Sequence, residues 1–369
     1  MQKFINLILL FTGALFLACS RGEIPTAVPP LVELQAKYIT SRPVIDGRAN
    51  DEVWKDANPY YVHVGKRDVL TGEIIEGYNL TLKAVWWREW HLTSAWTEIP
   101  YVAIMASWPD DDKNIKKNMW HYNPVDSLWT RDSEGSDWLL LRWYSTSTFI
   151  DLWYWDAALT NPMGYAEDQE VETFAVDDTT ELLTFNIDGL SFLNDNEANV
   201  NTWDYNYDDN LTPRDSTDDF PSMIWGQNPG LETPSLPRIF SSTDETSSFL
   251  LSRDAVAMLS PNVAPFGTLN EPIDVPGYVL EEPKNDPADI TAAGRYENGE
   301  WTLELMRISA TGEDGDIQFS TDSRYSRWPC FIYIGDNSHI PFERRVSRET
   351  ERMIFEAENI VILTFEFVK

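Results

Sequence analysis

Four histidines and eight methionines are the residues of this chain best suited to holding a metal. Met119 and His121 lie two residues apart in an aromatic segment, and His339 follows an Asp-Asn turn. Neutral imidazole and thioether groups are protein ligands of soft and borderline metals. These three residues are therefore candidate metal ligands. The alternative is that each histidine is a partly exposed polar residue with an ordinary hydrogen bond.

A second candidate set consists of oxygen side chains at alternate positions. Asp204, Asn206 and Asp208 have the spacing of the first ligands of a calcium loop. Asp209 stands where an EF-hand carries glycine, so the segment does not match that motif. The sequence leaves two interpretations, a looser Ca²⁺ site and a solvated acidic loop.

The first residues of the chain indicate export and lipid attachment. Residues 1–18 hold one lysine and then an apolar run too short to span a bilayer, as in a signal peptide. The run ends in Leu-Ala-Cys-Ser, which is similar to a bacterial lipobox, so we expect lipidation of Cys19. The alternative is an ordinary signal peptide and an unrelated cysteine. A lipid at Cys19 would anchor the chain in the bacterial cell envelope, at the outer membrane facing the periplasm or the surface.

The rest of the chain is predicted to be a tether followed by an all-β domain. Residues 19–36 contain three prolines and little periodicity, which is typical of a tether. Residues 37–369 hold short runs of β-branched and aromatic residues separated by Gly, Pro, Asn and Asp. This pattern predicts an antiparallel β-sandwich. The one segment of any length with a helical pattern is 344–357.

One long segment differs from the predicted strands. Residues 191–286, approximately, are rich in Asn, Asp, Pro and Ser. A structureless loop of that length is uncommon in a compact domain, so we expect an irregular insertion that packs on the sandwich. The aromatic residues expected at this contact are Trp203, Tyr205, Tyr207, Phe220 and Trp225.

Composition excludes several classes of function. The chain has 28 Lys+Arg against 60 Asp+Glu, and its formal net charge of −32 repels nucleic acid and anionic lipid. It is 43% hydrophobic, which is enough to build a core. It contains no Gly-x-Ser-x-Gly elbow, His-Glu-x-x-His helix, phosphate loop or dinucleotide fingerprint, so we do not expect an enzyme.

The sixteen tryptophans allow two interpretations. Trp153 and Trp155 share one face of a predicted strand because their spacing is two. Flat aromatic rings can line a haem pocket or stack on a sugar, whereas large aromatic side chains are most often buried. We therefore expect most tryptophans to fill the core, with a ligand-binding role for Trp153 and Trp155 as the alternative.

Three segments share their residue types and order with one known family. They cover residues 45–57, with Ile-Asp-Gly and then Trp54; residues 151–168, with Asp-Leu-Trp-Tyr-Trp-Asp and Asn-Pro-Met-Gly-Tyr; and residues 276–337. Together they resemble the haem-binding domain named after the gamma subunit of ethylbenzene dehydrogenase. That domain, also described as cytochrome c-552/DMSO reductase-like, is a β-sandwich related to family 9 carbohydrate-binding modules.

The resemblance implies haem binding and electron transfer with a redox partner protein. Many relatives carry Cys-x-x-Cys-His before the Asp-x-Trp-x-Trp strand, but residues 136–148 contain no cysteine, which excludes covalent c-type haem. Relatives also tend to have His and Lys where this chain has Tyr154 and Asp156. A non-covalent haem b, held by His339 or by Met119 and His121, is the expectation that remains. The alternatives are a non-haem module for carbohydrate or another envelope ligand, and an interaction protein whose site has decayed.

Overall fold

Strands make up nearly all of the regular structure, as the β-branched and aromatic runs predict. The computed structural model describes residues 31–67, 73–92, 96–144, 149–172, 192–194, 203–210, 218–226, 248–281, 289–313, 316–321, 326–338 and 354–368. In chain order its strands are β1 (Leu31–Tyr38), β2 (Tyr60–Arg67), β3 (Ile74–Leu92), β4 (Trp96–Pro109), β5 (Trp120–Asn123), β6 (Leu128–Arg131), β7 (Ser136–Tyr144), β8 (Phe149–Asp156), β9 (Tyr165–Glu172), β10 (Phe192–Asn194), β11 (Trp203–Tyr205), β12 (Met223–Trp225), β13 (Leu250–Leu251), β14 (Ala255–Ala257), β15 (Val263–Ala264), β16 (Gly267–Thr268), β17 (Ile273–Val275), β18 (Tyr278–Leu280), β19 (Ile290–Glu297), β20 (Glu300–Ile308), β21 (Trp328–Ser338), β22 (Ile354–Ala357) and β23 (Ile360–Phe365). Within the described residues, helix α1 covers Glu52–Asp56, and 3-10 turns cover Asn161–Met163 and Ser252–Asp254.

Ten strands form one closed sheet. Their order is β7-β21-β22-β2-β3-β4-β20-β19-β9-β8, and β8 pairs with β7 again, which closes the ring. Every pairing in the ring is antiparallel. The prediction of an all-β antiparallel fold is confirmed. The two faces of the predicted sandwich are joined at both edges, so each strand of the ring has a partner on either side.

Strand β1 corrects the predicted end of the tether. It begins at Leu31 and pairs in parallel with β23 and, over its last two residues, with β3. Leu34 and Ala36 are buried, because alternate residues of a strand point to the same side. The folded domain therefore begins at Leu31 rather than at residue 37. Residues 1–30, which include the predicted signal peptide and Cys19, lie outside the described part of the chain.

The main hydrophobic core is formed by inward-facing residues of the closed sheet. Large aromatic side chains dominate it, and its fully enclosed tryptophans are Trp86, Trp108, Trp143, Trp153, Trp155 and Trp301. Gly294 of β19 makes room for one of them, since a Cβ at this position would lie 2.2 Å from Cζ2 of Trp155. With the tryptophans buried elsewhere, twelve of the sixteen are buried, so the expectation that most tryptophans are core residues is met.

The predicted insertion builds a second core instead of remaining irregular. Its short strands form two- and three-stranded sheets, and β17 pairs with the β5–β6 hairpin. Phe220 and Trp225 are buried in this second core, as expected for contact residues. Tyr205 and Tyr207 are instead 50% and 43% exposed. Apolar residues too sparse to show a strand period in the sequence still pack together in three dimensions.

Two local predictions are wrong in their described parts. A helix is predicted over 344–357, but its last four residues form strand β22, which pairs with β2 and β21. The earlier residues of the predicted helix lie outside the described part of the chain. Residues 316–319 alternate polar and apolar side chains, a pattern that predicts a strand, but they have no strand partner although Ile317 and Phe319 are buried. In both cases tertiary context overrides local pattern. No helix in the described ranges has the length and apolarity needed to cross a membrane.

Candidate functional site

His121 lies on β5 with both ring nitrogens bound to carboxylates. Nδ1 is 2.8 Å from Oδ1 of Asp274, which faces it across the β5–β17 pairing, and Nε2 is 3.1 Å from Oδ2 of Asp132. Partial burial disfavours the charged ring, but the hydrogen bonds and charges of Asp274 and Asp132 outweigh it and raise the pKa of His121. An iron at either nitrogen would have to displace a carboxylate from a ring that favours its protonated form.

Of the other two predicted iron ligands, the structure describes Met119 but not His339. Met119 is buried, 2% exposed, and its backbone is held by hydrogen bonds with Asp132. His339 lies outside the described residues, one position beyond the end of β21. The end of β21 is fixed nearby, because the backbone N–H of Asn337 donates to Asp137 and its side chain accepts from Gly135.

Trp153 and Trp155 lie inside the main core and not on a ligand-facing surface. Each is 0% exposed. The ring of Trp155 packs against Trp108 and Trp301, and its Nε1 donates to Oδ1 of Asn161 at 3.1 Å. The ring of Trp153 packs against Trp143. Neither ring presents a face to solvent on which a sugar could stack.

The alternating oxygen side chains of 204–208 do not converge on one point. Asn206 is fully buried, and its amide donates to the carbonyls of Met223 and Pro276 while accepting from Ser222 and Met223. The Asn206 amide thus links the chain at residues 222–223 to the chain at Pro276. Asp208 accepts instead from the backbone of Asn210, as in an Asx turn. The looser calcium site predicted at Asp204, Asn206 and Asp208 is therefore not formed, because the side-chain amide of Asn206 is already engaged in hydrogen bonds within the second core.

Cys330 is not available as a ligand. Its side chain lies in the main core and is 1% exposed. Burial and the charge of Asp151 raise the pKa of the thiol well above its usual value. It therefore remains a protonated, apolar core residue.

The positions where relatives carry His and Lys form a buried polar network in this chain. The hydroxyl of Tyr154 donates to Oδ2 of Asp156, and Ser136 donates to the same carboxylate. The side chain of Lys117 is as completely buried as that of Asp156. Its Nζ lies 3.2 Å from Oδ2 of Asp156 and supplies the opposite charge. A closed ion pair of this kind is satisfied internally. Tyr154 and Asp156 therefore do not offer a haem iron the side chains that relatives carry at these two positions.

The sequence analysis missed a buried ionic cluster centred on Arg307. The guanidinium, on β20 and 0% exposed, contacts Asp168 of β9 and lies 3.4 Å from Asp151 of β8, 3.5 Å from Asp316 and 4.0 Å from Asp289. Burial and the charge of Asp151 raise the pKa of Asp168. Arg307 and Asp316 fall in a segment that carried the family resemblance, but nothing in their spacing indicates contact with Asp151 and Asp168, which lie on distant strands.

A second acidic group lies where β4, β7 and β21 meet. One carboxylate oxygen each from Asp110, Asp137 and Asp336 lies within 4.8 Å of the others, an arrangement that can accept a cation. The oxygens of Asp137 already accept from Asn114 at 2.8 Å, Asn337 at 3.1 Å and Trp301 at 2.9 Å. Burial and then the charge of Asp137 raise the pKa of Asp110 to about 8. Burial raises the pKa of Asp137 to about 7.

Comparison with known proteins identifies the family. No curated protein matches the chain. The family described as ethylbenzene dehydrogenase matches residues 122–329, more than half of the chain. The matched range includes strands β7 to β9, β19 and β20, and thus the core residues Trp143, Trp153, Trp155 and Trp301 and the cluster around Arg307. The chain belongs to the ethylbenzene dehydrogenase family.

Proposed function

We propose that this chain is a lipid-anchored domain of the cell envelope that binds haem b non-covalently and passes electrons to a redox partner protein. Family membership is the observation that carries the proposal, because the segments of resemblance are those of a haem-binding domain. When bound, the haem supplies a one-electron redox centre. The net charge of −32 favours a partner with a basic docking face.

His339 is the proposed iron ligand. His121 holds two carboxylates and favours its protonated form, and Cys330 is buried in the core. In the sequence, His339 directly follows the last residue of β21. Its neutral imidazole has suitable chemistry for haem iron, and the thioether of the buried Met119 is the other predicted ligand.

Titration of the purified protein with haemin tests the proposal. We expect one equivalent to bind with a shifted Soret band and a sharp α-band on reduction. His339→Ala should abolish the shift, and His121→Ala should leave it unchanged. Uptake that is equal in the wild type and in His339→Ala would contradict the assignment of the ligand.

A non-haem binding module is the second candidate. It is favoured by the engagement of both His121 nitrogens and by the internal Tyr154–Asp156–Lys117 network, which replaces the side chains of relatives. Its ligand would not stack on Trp153 or Trp155, since both are in the core. Absence of stoichiometric haem uptake together with binding on a glycan array would select this candidate over electron transfer.

A further inference from the structure

Four carboxylates and one guanidinium are enclosed together beneath strands β8, β9 and β20. Asp151, Asp168 and Asp316 are 1–3% exposed, and the side chain of Asp289 is 25% exposed. Arg307 supplies one positive charge against four negative ones. Unbalanced charge is strongly disfavoured in a protein interior, so this cluster requires either protonated carboxyl groups or a bound cation.

The carboxylates also have oxygen atoms without a partner. Every contact with Arg307 is made through an Oδ2 atom. The Oδ1 atoms of all four aspartates are buried and have no hydrogen-bond partner. Ionised carboxylates cannot donate to one another, so these oxygens require a proton, a water molecule or a cation. Three such side chains, each more than nine-tenths buried, point to a missing ligand.

The spacing of the oxygens suits a metal ion. One oxygen each from Asp151, Asp168 and Asp316 lies within 4.8 Å of the others. Calcium binds oxygen at about 2.3–2.6 Å, so oxygens on opposite sides of the ion lie about 5 Å apart. We propose that Asp151, Asp168, Asp289 and Asp316 bind one divalent cation of the calcium type, with Arg307 holding their remaining oxygens.

The chemistry of the site selects a hard cation. All four side chains offer carboxylate oxygen, and no histidine or cysteine belongs to the group as the structure describes it, which disfavours zinc and copper. One divalent ion balances two of the unpaired charges, whereas one proton balances a single charge. The exposed side of Asp289 supplies the path of entry. The ion would tie β8 to β9 and to the segment after β20, independently of haem.

The site is tested by chelation and reloading of the purified protein. After dialysis against a chelator, addition of calcium chloride should restore one equivalent of tightly bound Ca²⁺ by elemental analysis. It should raise the Tm by about 4 °C at a hundredfold excess over the dissociation constant. Asp316→Asn should lose both the bound ion and the Tm response.

Three further variants distinguish the cation from its alternatives. Asp208→Asn and Asp110→Asn remove surface or half-buried acids elsewhere and should keep the single bound ion. If shared protons satisfy the cluster, Asp168→Asn mimics the protonated acid and should keep the wild-type Tm, with no response to calcium in either protein. That result, or retention of the ion in both Asp168→Asn and Asp316→Asn, would overturn the proposal.

Discussion

Tryptophan side chains occupy two contrasting environments in this protein. Trp153 and Trp155 are completely enclosed, whereas Trp90 and Trp96, near the end of the β3–β4 hairpin, are 63% and 65% exposed. A buried tryptophan removes a large apolar area from water and leaves a cavity when it is truncated. An exposed tryptophan buries less apolar area, and its truncation leaves no cavity. The two buried and two exposed tryptophans can therefore be compared directly by substitution.

Truncation of the core tryptophans should destabilise the fold. We expect Trp153→Ala or Trp155→Ala to lower the free energy of unfolding by about 3–5 kcal/mol. Trp90→Ala and Trp96→Ala, as controls, should change it by about 0.5 kcal/mol or less. Denaturant titration followed by circular dichroism measures both. A small effect at Trp153 and Trp155 would mean that these rings are not core residues.

The raised pKa of Asp110 predicts a dependence of stability on pH. Burial and the charge of Asp137 bring the pKa of Asp110 to about 8 in the folded state, against 3.8 for the ordinary group. The folded protein therefore holds a proton that the unfolded chain releases, and its stability falls as pH rises from about 4 to about 8. Asp110→Asn should raise the Tm at pH 8 more than at pH 5. A difference in Tm that is constant across this range would contradict the assignment.

At the scale of elements, the turn between β8 and β9 is fastened to β19 by one side chain. Oδ1 of Asn161 accepts from the indole of Trp155 at 3.1 Å and from the backbone of Gly294 at 2.7 Å. Its Nδ2 donates to the carbonyl of Gly294 at 3.0 Å. Asn161 is 0% exposed, so all three bonds are buried. The Asn-Pro-Met-Gly-Tyr motif thus holds the turn between β8 and β9 against β19, which pairs with β9.

Removal of this side chain should loosen the turn. We expect Asn161→Ala to destabilise the domain by about 3–5 kcal/mol, because each buried polar group left without a partner costs about 1–3 kcal/mol. Asn270→Ala is the matched control, since Asn270 is exposed and its side chain donates to one carbonyl. Differential scanning calorimetry compares the two variants. Equal melting temperatures for them would show that Asn161 does not fasten the turn.

At the scale of the whole molecule, residues 31–369 form one compact unit with two principal cores. The closed sheet encloses the first core, and the insertion with the β5–β6 hairpin encloses the second. His121 joins the hairpin to both Asp132 and the β17 strand of the insertion. The expected lipid at Cys19 would precede this unit by a short segment and hold it at the membrane.

Lipidation at Cys19 is tested in cells of a bacterial host. A fatty-acid analogue should label the wild-type protein, and Cys19→Ala should abolish labelling and release the protein into the soluble envelope fraction. The reason is that each buried CH₂ of an acyl chain contributes ~0.8 kcal/mol to membrane binding. Cys330→Ala is the control and should remain labelled, since Cys330 is buried in the core. Equal labelling of Cys19→Ala would contradict the lipobox interpretation.

The sequence by itself determined that the domain is all-β and, for several strands, which residues face inward. Alternation places Trp153 and Trp155 on one side of β8, and the motifs at 151–168 and 276–337 identify the family. These signals are local, because the two-residue period of a strand and the residue preferences of turns act over a few positions. The positions of β2, β4, β7, β8, β20 and β21 follow from them.

Only the tertiary structure decided which of these strands meet and what their polar residues do. Arg307 and Asp168 are 139 positions apart, and His121 and Asp274 are 153 positions apart. A strand pattern fixes the side to which a residue points, but not the strand that packs next to it. The strand order β20-β19-β9-β8 in the sheet brings Arg307 near Asp168 and Asp151, and the pairing of β17 with β5 brings Asp274 to His121. For that reason the cluster around Arg307 and the carboxylates on His121 could not be found from spacing in the sequence.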